Sequence, residues 1–453
     1  MRSPPVTVLS PPAVPRADGA DQDPGAATPR AVPGRRWLLA PALVVLAALA
    51  ARLVVVLLQP VVLLNDSADY QRLAVSLATG HGWGPSHFAA GGGPTALRPP
   101  LYPLFLATIY KLVGVHLLAA RLAGATLGAL AVLLLMAAVE PVWGRTAALL
   151  SGVLAAVLPP LVLASTSLMS EALAVPLELA AFAALLRSRH HPPLRVPALA
   201  AAGVLFGLLV LTRPSLAVLG LPVALLAAGP GPGLRRLARP ALLLALALVV
   251  VTPWELRDRV VTGHWIPLTT QGGYVLAGTY NASSATDPRN PAAWRPATLD
   301  PAVARLLAQH PRAGEPATNA LLESSALRYL AGHPAYPFEV AYENSRRLLD
   351  LAPLSFTRSA TTSEYGVPAA WGDAEAAGGL LLLALALAGL ATPRGRRGVP
   401  LAWWAAPVLL WAATVVLQAV PRFRAVIDPF LLPLAAVALL EGARRLRRGA
   451  AGP

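Results

Sequence analysis

The stretch WLLAPALVVLAALAARLVVVLL, residues 37–58, decides the fold class of this chain. It is almost wholly apolar, and as a helix rising about 1.5 Å per residue it can cross a bilayer core of roughly 30 Å. Further apolar runs follow it along the chain. Because backbone polar groups in hydrocarbon must be paired within their own segment, such runs must be helices. The sequence therefore predicts an all-α polytopic membrane protein and excludes a soluble domain.

The composition of the 453 residues supports the same class. Hydrophobic residues make up 56% and charged residues 13%, about half of the ~25% charge of soluble domains. The net charge of +15 comes from basic residues in short clusters between apolar runs, the pattern of cytoplasmic membrane loops. It therefore indicates membrane topology and no nucleic-acid partner. The chain has no cysteine, which excludes disulfides and thiolate metal sites.

Basic clusters after alternate apolar runs predict the topology. If ten runs span the bilayer, the strongest clusters all lie on the side of the N-terminal arginines; these clusters are Arg187–Arg195, Arg235–Arg239, Arg394–Arg397 and Arg444–Arg448. Cytoplasmic loops carry the excess of arginine, so both termini are predicted to be cytoplasmic. The predicted spans are roughly 37–58, 117–139, 147–164, 171–187, 197–212, 214–229, 240–254, 376–392, 399–419 and 425–442.

The chain is predicted to divide into three parts. Residues 1–35, rich in Pro, Ala and Gly, form a disordered cytoplasmic tail. Residues 36–443 form a single transmembrane domain, a helical bundle, and 444–453 form a basic cytoplasmic tail. Within the domain, two long polar segments at about 60–116 and 255–375 would face the exterior.

Both polar segments are expected to contain helices. Residues 100–114 are apolar but short, and counting them as a span would move every later basic cluster to the opposite side. They are therefore predicted as an interfacial or re-entrant helix on the exterior side. The second segment has a helical pattern near Leu321–Leu351, and a loop of its length is usually functional.

Three carboxylates stand out as candidates for chemistry. Asp66 and Asp69 follow the first span at once, where Asp66 is either an N-cap of the next helix or a general base beside the bilayer. In a helix Asp69 would lie about 60° around the axis from Asp66, so either could face the site. Glu171 begins an apolar run, where a carboxylate either marks a functional site or simply favours the helix start.

Four arginines fall on the side opposite the basic loops, namely Arg98, Arg213, Arg257 and Arg422. A guanidinium suits bidentate binding of phosphate. The alternative for each is that its long side chain reaches the lipid headgroups. Their gathering on one face favours a phosphate site.

Several short motifs, taken in order, resemble a known family. They are Asp66-x-x-x-Tyr70-x-x-x-Ala74, Arg98-Pro99-Pro100-Leu101-Tyr102, Ser170-Glu171-Ala172, Leu211-Thr212-Arg213-Pro214, Thr252-Pro253-Trp254, Pro267-Leu268-Thr269-Thr270-Gln271-Gly272-Gly273 and Arg422-Phe423-Arg424 before Pro429. The series, within about 37–443, resembles the bacterial GT-C glycosyltransferases of family 39, related to protein O-mannosyltransferases and lipid A aminoarabinose transferases. The resemblance implies a GT-C-like helical bundle over residues 36–443 in a bacterial plasma membrane. It also implies a polyprenyl-phosphate-linked sugar as donor and catalysis at the outer membrane face.

The resemblance also implies residue roles. Asp66 maps to the catalytic Asp of the first exterior loop, with Asp69 as its neighbour, and Glu171 maps to a second carboxylate that is Asp in many relatives. Arg98 maps to the basic residues around the lipid phosphate, with Arg257 and Arg422 as further candidates. Two tyrosines of the motifs, Tyr70 and Tyr102, are expected to contact substrate.

The predicted reaction is an inverting transfer of a hexose or pentose to a hydroxyl or phosphate of an unidentified protein, lipid or envelope glycan. No cofactor is indicated; acidic residues could bind a divalent metal, but no ligand cluster with distinctive spacing appears. A transporter or flippase of a lipid-linked sugar is the alternative. It would need charged or broken helices near the midplane and an internal repeat, whereas the charges here are predicted at span ends. A non-catalytic scaffold would not need carboxylates at two loop mouths.

Overall fold

A computed structural model describes residues 36–84, 86, 95–189, 195–228 and 233–450, and within these ranges it contains helices and no strand. The first ten α-helices are α1 (Arg36–Leu58), α2 (Asn65–Ala78), α3 (Leu101–Val113), α4 (Leu117–Trp143), α5 (Arg145–Val157), α6 (Pro159–Thr166), α7 (Glu171–Ser188), α8 (Arg195–Thr212), α9 (Gly220–Ala227) and α10 (Ala238–Thr262). The others are α11 (Gln271–Thr279), α12 (Ala282–Ala285), α13 (Pro301–Ala308), α14 (Glu315–Gly332), α15 (Tyr336–Leu348), α16 (Leu354–Tyr365), α17 (Ala370–Leu390), α18 (Pro393–Arg396), α19 (Leu401–Val415) and α20 (Asp428–Ala450). The predicted tail at 1–35 lies outside the described residues, as do 451–453 of the basic tail.

Five helices among the described residues are long and apolar enough to cross a membrane: α1 from Leu39, α4, α8, α10 and α17. A sixth span results if α5 and α6 are counted together, although they meet at a bend of 60°. The prediction of a polytopic all-α protein is confirmed, whereas the number of ten spans is not and stays a prediction. The other predicted spans are shorter, broken or more charged: α7 contains Glu171, Glu178 and Arg187, and α9 has only eight residues.

The bend between α5 and α6 brings a buried chain segment toward the site. Pro159 and Pro160 have no backbone N–H to continue the α5 hydrogen-bond ladder, so the helix breaks at Leu158. All of α6 except Pro159 is buried, and the chain leaving it leads directly to the first residue of α7, Glu171. The break therefore sets the position of this carboxylate.

An aromatic cluster joins four helices in the core. The rings of Trp143 on α4 and Trp403 on α19 are 5.1 Å apart, and those of Phe182 on α7 and Phe430 on α20 are 5.0 Å apart. The Trp403 indole N–H donates to the Phe430 carbonyl at 3.0 Å, so this buried donor is satisfied. From Ala40 onward the chain forms one compact unit around this core.

The predicted non-spanning helices are present. Residues 100–114 contain α3, whose 13 residues measure about 20 Å at 1.5 Å per residue, short of a bilayer core. The pattern near Leu321–Leu351 corresponds to α14 and α15. On α15, the Asn344 amide donates to the Val415 carbonyl at 2.9 Å, which joins this helix to the end of α19.

Charged side chains also lie inside the helical core. Glu178 is fully buried in the middle of α7, so the prediction that the charges sit at span ends is wrong for this residue. The buried Arg52 of α1 donates to the Ser165 hydroxyl at 2.9 Å and to the Ala156 carbonyl. Arg121 of α4 donates to the carbonyls of Thr166 and Val56, which are left without helical partners at the ends of α6 and α1. These arginines are held as helix-end donors because a carbonyl satisfies a guanidinium without a second buried charge.

Candidate active site

Asp66 lies in the first turn of α2 and points into an arginine pair. Asn65 before it adopts a left-handed backbone (φ 46°), which asparagine tolerates, and its amide donates to the Ser363 carbonyl at 3.1 Å. The helix start is capped by Ser67, whose hydroxyl accepts from the Leu64 N–H at 3.0 Å. The N-cap alternative for Asp66 is therefore wrong, and its carboxylate is left to bind other groups.

The Asp66 carboxylate contacts two guanidinium groups. One oxygen lies 2.8 Å from Arg98 Nη2, and the other accepts from Arg422 Nη2. Both arginine side chains are nearly buried, at 5% and 6% exposure, whereas the Asp66 side chain is 23% exposed. Neither arginine reaches outward to headgroups, so that alternative is wrong for both. Of these three side chains, the Asp66 carboxylate is therefore the one that a substrate can approach most readily.

Asp69 lies behind Arg98 and is fully buried. Its Oδ2 atom accepts from Arg98 Nε at 2.6 Å and from the Ser86 hydroxyl at 2.6 Å. The guanidinium of Arg98 therefore bridges the two carboxylates of the motif. Of the two carboxylates, Asp66 is the more exposed, and Asp69 is buried where it holds the Arg98 guanidinium.

Glu171 belongs to the same network from the opposite side. Its Oε1 atom is 2.7 Å from Arg213 Nη1 and 3.7 Å from Arg422 Nε. Arg422 Nε also approaches Glu364 Oε2 at 3.1 Å. The Phe423 ring lies between the arginines, 5.0 Å from the Arg422 guanidinium carbon and 5.2 Å from that of Arg213, so it supports both by cation–π contact.

The electrostatics of this network separate two of its carboxyl groups. Desolvation alone would raise the pKa of Asp66, but the charges of Arg98 and Arg422 outweigh it and hold that pKa well below its usual range. Burial raises the pKa of Glu364, and the charges of Asp66 and Glu171 add to this against the opposing charge of Arg422. Asp66 is thus ionised at neutral pH, and Glu364 is the group that holds a proton more readily.

The tyrosines and Arg257 take different positions. Tyr70 lies under the Arg98 guanidinium at 5.2 Å, and its ring meets the Tyr102 ring edge-on at 5.1 Å. Tyr102 is 2% exposed in the core between α2 and α3, so it supports Tyr70 from behind. Arg257 is outside the network: it pairs with Asp258 at 2.6 Å and donates to the Thr95 carbonyl at 2.7 Å.

Two members of the network were not assigned to the site from the sequence. The sequence groups Arg213 with the other arginines of its face, and that grouping is the signal that could assign it to the site. Glu364 carries no such signal, since it lies in a long polar segment, nearly 300 residues from Asp66. Within the described residues, no group of three His, Asp or Glu side chains has the arrangement of a metal site. The carboxylates here face guanidinium groups instead.

Comparison with known proteins agrees with this architecture. Residues 97–256, about a third of the chain, match the family model described as dolichyl-phosphate-mannose-protein mannosyltransferase. This segment contains Arg98, Glu171 and Arg213 of the network. The search of curated proteins returned no significant match.

Three solved structures are similar over most of this chain. The apo oligosaccharyltransferase of Archaeoglobus fulgidus matches with a TM-score of 0.51 and 15% identity, over 92% of this chain and 52% of that chain. AglB of the same organism, in complex with an inhibitory peptide and a dolichol-phosphate, gives 0.48 and 13% over 91% and 51%. ArnT from Cupriavidus metallidurans bound to undecaprenyl phosphate gives 0.42 and 19% over 92% and 78%. The family model and the first of these matches confirm the predicted resemblance and the GT-C fold.

Proposed function

We propose that this GT-C protein transfers a sugar from a polyprenyl-phosphate donor to an acceptor hydroxyl at the outer face of the membrane. The observation that carries the proposal is the Asp66 carboxylate, partly open to solvent and held between two buried arginines, Arg98 and Arg422. A transfer of this kind needs one base for the acceptor and cations for the leaving phosphate. Both are present within a single hydrogen-bonded group.

The proposed reaction uses the arginines first. A donor phosphate bound by Arg98 and Arg422 accepts hydrogen bonds from the same guanidinium groups that donate to Asp66 in the free protein. The incoming negative charge raises the basicity of Asp66, since its low pKa comes from these same cations. Donor binding would therefore prepare the base for the step that follows.

In the transfer step, Asp66 accepts the proton of the acceptor hydroxyl as its oxygen attacks the anomeric carbon. The bond between that carbon and the phosphate oxygen breaks, and the polyprenyl phosphate leaves with its charge stabilised by the arginines. A positioned carboxylate base contributes typically ~10²–10⁴-fold to such a rate. Attack opposite the phosphate inverts the anomeric centre.

The carboxylates Glu171 and Glu364 orient the cations in this scheme. Glu171 holds Arg213 at 2.7 Å, and Glu364 contacts Arg422 Nε at 3.1 Å, whereas Asp66 contacts Nη2 of the same guanidinium. Each leaves guanidinium N–H groups that can turn to phosphate. The sugar, hexose or pentose, and the acceptor, whether protein, lipid or glycan, are left open by this chemistry.

A flippase of a lipid-linked sugar is not favoured, because the family-model match is to a glycosyltransferase family. Buried Arg52 and Glu178 are charges within helices, as a transporter would need. However, Arg52 donates to a carbonyl of its own helix and to a carbonyl and a hydroxyl of neighbouring helices, which makes it a structural group.

The proposal is tested with purified protein in liposomes that contain polyprenyl phosphates bearing different hexoses and pentoses, together with membranes of the source organism as acceptor. One of the donors is expected to be converted to polyprenyl phosphate, with its sugar recovered on an acceptor by mass spectrometry. Movement of an intact donor between leaflets, without consumption, would identify a flippase instead. No consumption of any donor would contradict the proposed activity.

The orientation of the site can be tested separately because the chain has no cysteine. Single cysteines at Phe338 on α15 and at Leu234, before α10, replace side chains that are 78% and 84% exposed. We expect a membrane-impermeant maleimide added to intact cells to label Phe338→Cys and to label Leu234→Cys only after lysis. The reverse pattern would place the site at the cytoplasmic face.

A further inference from the structure

The 3-10 turn Pro421–Val426 carries two buried arginines that point into different charge clusters. Arg422 belongs to the candidate active site, and Arg424, two residues later, does not touch it. A 3-10 turn advances by about 120° per residue, so side chains two apart leave in different directions. The turn is thus a short bridge between the active site and a second cluster.

Arg424 is held in the second cluster by three separate chain segments. Its Nη1 pairs with Asp350, which follows α15, and its Nη2 and Nε atoms bond to Asp428 of α20 at 3.1 and 3.2 Å. Its Nη2 also donates to the Gly379 carbonyl of α17 at 3.1 Å. The side chain is 3% exposed, so the guanidinium is buried among these partners.

The surroundings of Arg424 are shaped to it. A Cβ at Gly379 would overlap both the Arg424 guanidinium and the Asp350 carboxylate, so only glycine leaves room for the pair. Asp350 itself has a left-handed backbone (φ 56°), a conformation that costs energy for a residue other than glycine. Such a conformation persists where surrounding contacts hold it, here the ion pair with Arg424.

We infer that Arg424 is a positioning residue that acts through Arg422, and this rests on the proposed function. A 3-10 turn of six residues has poor hydrogen-bond geometry of its own, so it cannot fix the long Arg422 side chain unaided. The Arg424 anchor fixes the turn against α17 and α20. The carboxylates of Asp350 and Asp428 also neutralise the charge of Arg424, so Arg422 is the arginine of this turn that binds the donor phosphate.

The test measures binding of undecaprenyl phosphate to detergent-purified protein, a readout that needs no acceptor. Lysine at 424 keeps the charge but loses the planar fork, so Arg424→Lys is expected to raise the Kd about fivefold or more. Asp350→Asn, which keeps the shape and leaves Asp428 as partner, is a milder second variant with a rise in the same direction. Arg347→Lys is the matched control, because Arg347 is equally buried, at 2% exposure, but lies outside this turn. Its Kd should equal that of wild type.

A double-mutant cycle separates positioning from general damage. In an Arg422→Ala background, Arg424→Lys should change the Kd little further, because the side chain through which it acts is gone. If the two substitutions raised the Kd by independent factors that multiply in the double variant, the inference would be overturned. An unchanged Kd in both Arg424→Lys and Asp350→Asn would overturn it as well. If wild-type protein bound no undecaprenyl phosphate, the proposed function would fail first, and the inference with it.

Discussion

Asp66→Asn is expected to lower sugar transfer by at least ~10²-fold, the low end for loss of a general base. The amide has the size of the carboxylate and still accepts hydrogen bonds from Arg98 and Arg422, but it takes no proton from an acceptor. Both arginines keep another carboxylate partner, Asp69 for the first and Glu364 for the second. The variant should therefore still fold and bind undecaprenyl phosphate, with a thermal stability lowered by loss of the Asp66 charge between the two arginines.

Sugar transfer by the Asp66→Asn variant and by the wild-type protein is compared at about pH 7, where Asp66 is ionised because neighbouring arginines lower its pKa. Because the pKa of Asp66 is lower in the folded than in the unfolded protein, its charge stabilises the fold at any pH above the unfolded value of about 3.9. That stabilisation is lost progressively as the pH falls from this value through the folded-state pKa. Acid titration of Asp66 therefore does not affect assays at neutral pH. Asp373→Asn serves as control, since this carboxylate pairs with Arg358 on the surface and is 43% exposed.

Asp69→Asn separates the two carboxylates of the motif. Asp69 is fully buried and holds Arg98. Its loss should therefore raise the KM for the donor by a larger factor than it lowers kcat, and it should also lower the thermal stability. If Asp69→Asn abolished transfer while Asp66→Asn retained it, the base would be Asp69. Activity in both variants and in the double variant would remove the general-base assignment.

Much of the fold could be predicted from the sequence, because apolar length is a local property. The longest helices, such as α4 and α10, were visible as apolar runs, and the short α3 was recognised as too short to span. The bend at Leu158 and the short α9 could not be predicted in this way. The bend follows from Pro159 and Pro160, which interrupt the hydrogen-bond ladder of α5, and apolar length does not record such a break.

The site was predictable to the extent that its residues follow apolar runs. Asp66 and Glu171 were found because a carboxylate is conspicuous beside hydrocarbon. The contact of Asp66 with Arg422 joins residues 356 positions apart, and no pattern in the sequence implies it. Arg257 was grouped with the phosphate-binding arginines because sequence gives the side of the membrane but not the partner of each charge. The structure gives it a partner in Asp258 instead.

Arg422→Met is expected to raise the Kd for undecaprenyl phosphate about 30-fold, or about 2 kcal/mol, and to destabilise the protein by about 3 kcal/mol or more, the cost of removing one partner from a buried ion pair. Arg422 is 6% exposed and contacts Asp66, Glu364 and Glu171. Methionine fills part of the volume but leaves these carboxylates facing one another. Thermal unfolding and undecaprenyl phosphate binding measure the two effects on the same preparation.

A second substitution separates the role of Arg422 in folding from its role in binding. Arg422→Met combined with Glu364→Gln removes one charge of each sign, so the double variant should regain much of the lost stability. It should not regain donor binding or transfer, because Arg98 then remains beside Asp66 without Arg422, the second of the two cations that bind the phosphate. Recovery of transfer to near the wild-type rate in the double variant would show that Arg422 only neutralises carboxylates. The phosphate-binding role would then pass to Arg98 and to Arg213, which the Phe423 ring holds alongside it.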